Sequence, residues 1–310
     1  MRWGRAYFAV QFAAGAAWWI AVAASPWVRE TTLGSLDPVA VAVLDIPLFV
    51  IASAAAAWGS KTAAIVATGW TSLVAAALAV YATITTEAGW GVLIMAASAA
   101  GSVLALSMVL LGRIPSEWLI RGPLAFRSAT IRTTPAAHVT ATLVQIVVFW
   151  GAFLIAIPFL VKLFEDRWAV DATFPWVALP VGIALLAAAS ALGLWAASVM
   201  STRGQGTPLP FAMANHLVIA GPYSWVRNPM AVAGIVQGVG IGLILSSWLV
   251  IVYAILGSLL WNYAIRPHEE RDLEERFGDA FRRYQMAVAC WIPRVPSRWP
   301  FNREGVQESQ

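Results

Sequence analysis

The side chains with chemical potential gather in the last third of the chain, in two polar islands within an otherwise apolar sequence. The first is Gly221-Pro222-Tyr223-Ser224-Trp225-Val226-Arg227-Asn228-Pro229. The second is Arg266-Pro267-His268-Glu269-Glu270-Arg271-Asp272-Leu273-Glu274-Glu275-Arg276-Phe277-Gly278. Asn228 before Pro229 marks a helix start, because asparagine caps free N–H groups and proline is tolerated in the first turn. The positive end of that helix, beside Arg227, suits a carboxylate or a phosphate. Taken alone, Arg227 also reads as a basic membrane anchor. Gly221-Pro222-Tyr223 is a turn that sets an aromatic ring near the same helix end. Glu269 and Glu270 point about 100° apart on a helix, so one can face a ligand while the other caps or meets water. A carboxylate held there suits a cation or ribose hydroxyls. Glu274, Glu275 and Arg276 read instead as a solvated face with internal ion pairs. His216 and His268 stand near the two islands, either as bases or simply bonded to backbone. No His/Asp/Glu spacing matches a metal site. Ionisable groups at the ends of membrane helices are costly, which makes this cluster functional by default.

Positioning these residues falls to a membrane protein. Of 310 residues, 60% are apolar and only 12% charged, against about 25% charged in soluble domains. Mean hydropathy is +0.72. Apolar stretches of roughly 17 to 25 residues span a bilayer as helices, and they fall at 7–24, 39–58, 62–81, 91–111, 139–163, 176–200, 229–245 and 248–265. The last two, joined by Ser246-Ser247, must form a tight hairpin. Open β-architectures are excluded, because lipid cannot satisfy a bare sheet edge. The sequence therefore predicts an all-α polytopic protein of about eight spans. Residues 266–287 then read as an amphipathic tail helix, with Leu273, Phe277, Phe281 and Tyr284 recurring at spacings of three and four. Pro293, Pro296 and Pro300 end it.

The net charge of +4 matters through its distribution. Arg2 and Arg5 precede the first span and Lys61 lies in the second loop. Arg113, Arg121, Arg127 and Arg132 fill the fourth loop, Arg203 and Arg227 the sixth. The alternate loops are mixed in sign, so the positive-inside rule places both termini and the polar cluster in the cytoplasm. Basic residues at an anionic leaflet account for the pI near 9.6 without nucleic acid as a partner. The single cysteine, Cys290, excludes an internal disulfide and reads as a small packed residue. Many of the seventeen tryptophans sit at span ends, as interfacial anchors do.

The two halves differ. Residues 1–112 form a four-span region of Ala-rich helices, 113–135 an Arg- and Pro-rich cytosolic linker, and 136–310 the half that carries the polar islands. Asp45 is the only acid within the first four spans. It precedes Pro47, so it is expected to bond backbone groups that the kink frees; a proton relay is the alternative. The first span also has the outline of a signal peptide, although its length favours an uncleaved anchor. Gly238-Val239-Gly240-Ile241-Gly242 lies inside a span with no preceding strand, so it reads as close helix packing and not a nucleotide loop. Gly204-Gln205-Gly206-Thr207-Pro208 is a loop whose glycines let backbone approach a ligand.

Taken in order, these elements resemble the C-terminal region of the membrane methyltransferases related to isoprenylcysteine carboxyl methyltransferase and phospholipid N-methyltransferase. The shared pattern is Gly221-Pro222-Tyr223, Arg227-Asn228-Pro229, a helical hairpin, Glu269-Glu270-Arg271-Asp272-Leu273, Phe277-Gly278, Phe281, Tyr284 and Ile292-Pro293. The chain departs from it at Ala231 and Phe281, where tyrosines are common. The resemblance covers about residues 136–297. It implies S-adenosylmethionine (SAM) held by His216, Gly221, Pro222, Tyr223, Arg227, Asn228, Pro229, Glu269 and Glu270, with Arg227 and Glu270 in catalytic positions. It implies transfer of a methyl group to a membrane-partitioned lipophilic acceptor, with membrane lipids as neighbours. Alternatives are a methyltransferase for a small hydrophobic thiol or amine, and a non-catalytic scaffold or transporter.

Overall fold

The computed structural model describes residues 2–117, 147–204 and 215–293. The described residues form helices and turns without a strand. Among the described residues, seven helices are long and apolar enough to cross a membrane, and the remaining expected span is the shorter helix Pro229–Ile244. The fold is that of a polytopic helical membrane protein. Most of the 113–135 linker and the 205–208 glycine loop lie outside the described residues. The chain divides into two compact units, Met1–Pro115 with Val161–Ala172, and Ser116–Leu160 with Thr173–Gln310.

In the first unit, α1 (Arg2–Ala24), α2 (Pro26–Leu33) and α3 (Pro38–Asp45) are followed by a π-helical stretch, Ile46–Ile51. Then come α4 (Ala52–Trp58), α5 (Lys61–Thr85) and α6 (Gly89–Leu111). Hydroxyl and carboxylate caps start several of them: Ser25 accepts from the Val28 N–H, Asp37 from Val39 and Ala40, and Ser60 from Ala63. Pro47 removes a donor within the second span, and the helix widens there into the π stretch. The core is built of small residues, with Phe8 packed among Ala52, Ala56, Ala64, Ala67, Ala105 and Val109. Gln11 threads it, donating to Ser53 Oγ at 3.1 Å and accepting from Ser102 Oγ at 2.7 Å. The expectation for Asp45 does not hold. Its oxygens accept the indole N–H groups of Trp19 and Trp70, both at 2.8 Å, not the backbone groups around Pro47.

The chain leaves the second unit through a π stretch, Gly151–Ala156, and α7 (Ile157–Arg167). The second unit then continues with α8 (Ala178–Arg203), α9 (Pro229–Ile244), α10 (Trp248–Leu260), a π stretch at Trp261–Ile265, and α11 (Arg266–Ala287). The glycine run on α9 packs helices, as its sequence implies. A Cβ on Gly240 would sit 2.9 Å from the Gly182 carbonyl of α8, and one on Gly238 would sit 2.9 Å from Ala254 of α10. Gln237, fully buried, donates to Ser190 Oγ at 3.0 Å. The hairpin turns at Ser246 (φ 50°), and Ser247 caps α10 by accepting from the Val250 N–H at 3.1 Å.

The tail helix spans the predicted residues but is not one rod. Gly278 takes φ 51°, ψ −126° and breaks it into two arms, a conformation open mainly to glycine. Across that break Phe281, Tyr284 and Val288 pack against Leu273, Phe277, Leu217 and Ile219. Cys290 is buried and free.

Candidate functional site

The start of α9 forms as its sequence dictates. Asn228 Oδ1 accepts from the Ala231 N–H at 3.1 Å, and the Asn228 carbonyl accepts from Val232 at 3.2 Å. Pro229 has no N–H to offer. The cap therefore takes one of the free first-turn donors and proline removes another, which leaves fewer for an anion.

Arg227 sits in the loop just before this helix and fastens it to both arms of α11. One terminal guanidinium nitrogen donates to Glu270 Oε1 at 2.8 Å. The other donates to the carbonyls of Gln285 at 2.9 Å and Val288 at 3.3 Å. The Arg227 backbone N–H adds a bond to the Ala289 carbonyl at 3.0 Å. Carbonyls at a helix C-terminus lack partners within the helix, and a cation there satisfies them and opposes the dipole. The Arg227 and Glu270 side chains are only 13% and 22% exposed. Glu270 is held further by Gln285 Nε2, which donates to its second oxygen at 3.2 Å, and by Arg266 at 3.9 Å. Among the described residues, the buried Nε atoms of Arg227 and Arg266 have no hydrogen-bond partner.

The two glutamates diverge as adjacent helical positions should. Glu270 turns into the Arg227 clamp, whereas Glu269 lines a cavity of about 380 Å³. The nearest donor to Glu269 is Asn228 Nδ2, at 3.5 Å from its Oε2. Among the described residues no cation pairs with it. The cavity walls are apolar and aromatic, with Phe149, Phe153, Leu194, Met230, Tyr253 and Trp261 among them, and its polar end is Asn228 with Glu269. The Tyr253 hydroxyl donates to the Phe153 carbonyl at 3.1 Å, linking two of the walls.

Other expected residues lie apart from this cavity. Gly221 (φ 60°) opens a 3₁₀ turn, Gly221–Ser224, in which Pro222 and Tyr223 are buried. The Tyr223 ring packs with Ala196 and Val218, and its carbonyl accepts the Tyr284 hydroxyl at 2.7 Å. Burial pushes the Tyr223 phenol well above its ordinary pKa. The turn thus supports the loop under Arg227 and does not supply an aromatic wall. His216 is exposed, and its backbone N–H donates to the Gly204 carbonyl. His268 Nε2 lies 3.1 Å from Ser116 Oγ. Sequence reasoning missed Gln285, which braces Glu270, and the Phe149 and Phe153 wall. Gln237, a lone amide in an apolar span, was a signal available for the packing of α9 on α8.

This arrangement of hairpin, clamp and charged tail helix lies within a recognised region. Residues 177–280 match the family model for phospholipid methyltransferases. The C-terminal half carries a phospholipid methyltransferase region. No curated protein matches the chain. The matched stretch runs from α8 through the first arm of α11 and holds Tyr223, Arg227, Glu269 and Glu270, the residues on which the resemblance was drawn. It leaves the first four spans outside.

Proposed function

We propose that the chain is a SAM-dependent methyltransferase acting on a lipophilic acceptor that enters from the membrane. The observation that carries this reading is Glu269: a carboxylate without a cationic partner among the described residues, at the polar end of an apolar cavity within the family-matched region. SAM joins a carboxylate to ammonium and sulfonium cations, and when bound it supplies an electrophilic methyl group. The residues present fit such a molecule. Glu269 offers an anion to the cationic part, and the buried Nε atoms of Arg227 and Arg266 leave donor capacity for its carboxylate. Asn228 adds an amide at the same end. The chain's contribution to transfer is positioning and exclusion of water, the main requirements of an in-line displacement. Arg227 and Glu270 hold the loop before α9 against the tail helix. The aromatic walls then present a dry compartment to the acceptor.

The acceptor is membrane-partitioned in this reading because the walls are apolar and aromatic. Both termini and the polar cluster face the cytoplasm, as the Arg and Lys distribution directs, and residues 136–310 form the methyltransferase domain. The test is transfer of labelled methyl from SAM by purified protein into extracted membrane lipids, compared with prenylcysteine analogues and small hydrophobic thiols or amines. Label in lipid or prenylcysteine supports the proposal. Label only in the small acceptors moves the substrate class, and no transfer with no SAM binding sinks the enzyme reading.

A further inference from the structure

The first unit contains a larger cavity than the second, about 590 Å³, enclosed by helices α1 to α3, α5 and α6 with the π stretch. Its walls are apolar apart from a few groups, of which Asp45 is the most buried ionisable one, at 4% exposure. Asp37 is a second acid on the lining, and no Lys, Arg or His lines the cavity. Trp18, Phe49, Trp70 and Tyr81 supply aromatic surface. Val10 and Leu44, also on the lining, are 66% and 54% exposed on the outer face of the helices. In a bilayer the cavity therefore opens sideways into hydrocarbon.

The bonding of Asp45 points to the occupant. Each oxygen accepts from an indole, which can only donate. Among the described residues nothing accepts a proton from Asp45 and no cation pairs with it. Two neutral donors orient a carboxylate but leave its charge uncompensated, and such a charge is costly to hold in a low-dielectric span. Rings and a carboxylate on one apolar cavity are the combination that recognises an organic cation. We propose that this cavity binds a lipophilic monocation, of the hydrophobic ammonium class, with its charge toward Asp45 and its apolar body among Trp18, Phe49 and Trp70. The site is separate from the methyltransferase reading and stands whether or not that reading holds.

The test uses the full chain in nanodiscs of zwitterionic lipid, with tetraphenylphosphonium as the probe and tetraphenylborate, of the same shape and opposite charge, as its control. Binding is measured at equilibrium and corrected for empty discs. The proposal expects saturable binding of one cation per chain and no saturable binding of the anion. Asp45→Asn should weaken cation binding roughly 30-fold or more, the usual effect of removing a buried charge partner. Ala77→Phe fills the cavity without touching Asp45 and should reduce binding to a similar degree. Lys61→Gln, at the exposed start of α5 and off the cavity lining, should leave it unchanged. Equal binding of cation and anion, or full cation binding in Ala77→Phe, overturns the proposal. If Asp45→Asn melts far below wild type, the charge preference of wild type and the Ala77→Phe result decide the matter.

Discussion

Each unit of this protein places a carboxylate on an apolar cavity, and the two do so by opposite means. In the C-terminal unit Glu269 sits beside a charged clamp that falls on its neighbour: Arg227, Arg266 and Gln285 all hold Glu270. In the N-terminal unit Asp45 is held only by neutral indoles. The difference follows from where each sits. Glu269 lies beyond the apolar run that ends at Ile265, where the tail helix brings charged side chains of both signs close to it, although burial still pushes its own carboxyl up to about 7. Asp45 lies mid-span, where a permanent ion pair would have to be desolvated twice. One region can build a clamp from charge, whereas the other must borrow dipoles.

This contrast can be broken most directly at Arg227. Arg227→Ala removes the bond to Glu270 and those to the Gln285 and Val288 carbonyls together. It should cost about 2 to 5 kcal/mol in SAM binding, roughly 30-fold to several-thousand-fold in affinity by titration calorimetry. Because the same guanidinium ties the loop to the tail, the melting temperature without ligand should fall as well. Glu270→Gln should act in the same direction but more weakly, since a glutamine still accepts from Arg227. Loss of binding with no change in melting would show that the clamp belongs to the ligand alone.

Glu269→Gln sharpens the comparison, since Glu269 holds no ion pair in the protein. It should weaken SAM binding by about 1.5 to 3 kcal/mol, the range for a hydrogen bond to a charged group, and leave the unliganded melting temperature in place. A drop in melting temperature with binding intact would make Glu269 a structural residue. Gly278→Ala should be milder. Forcing a side chain into the left-handed region costs about 1 to 2 kcal/mol, visible as a lower melting temperature of the C-terminal unit. The smallest effect is expected at Glu275→Gln, on the exposed face of the same helix, where binding and melting should both match wild type.

Much of this was legible in the sequence because its signals are local. Apolar run lengths gave the spans, Asn228-Pro229 the start of α9, and the period of Leu273, Phe277, Phe281 and Tyr284 the buried face of the tail. What was not legible depended on distant partners. Arg227 donates to Glu270 and to carbonyls 58 and 61 positions away, a set of partners that no local pattern reveals. Tyr223 was expected near the start of α9, and its cluster does reach Met230 there; its burial against Ala196 of α8 was not legible. Asp45 was expected to serve the backbone around Pro47; Trp19 and Trp70 reach it from other helices instead. Gly278 carried a family motif in the sequence, and its positive φ supplies the physical reason for a glycine there.

The shortness of α9 has a mechanical consequence. Sixteen residues at 1.5 Å each reach about 24 Å, against a hydrocarbon layer of about 30 Å. A lipid leaflet beside this helix must thin to match it or leave polar backbone ends in contact with acyl chains. Thinning lowers the headgroup plane toward Asn228 and Glu269 at the end of the cavity. In the proposed reaction a lipid-borne nucleophile would then reach the polar end with less of its own chain withdrawn from the bilayer, so that the membrane's deformation, and not only the protein's walls, would set how deep an acceptor must travel.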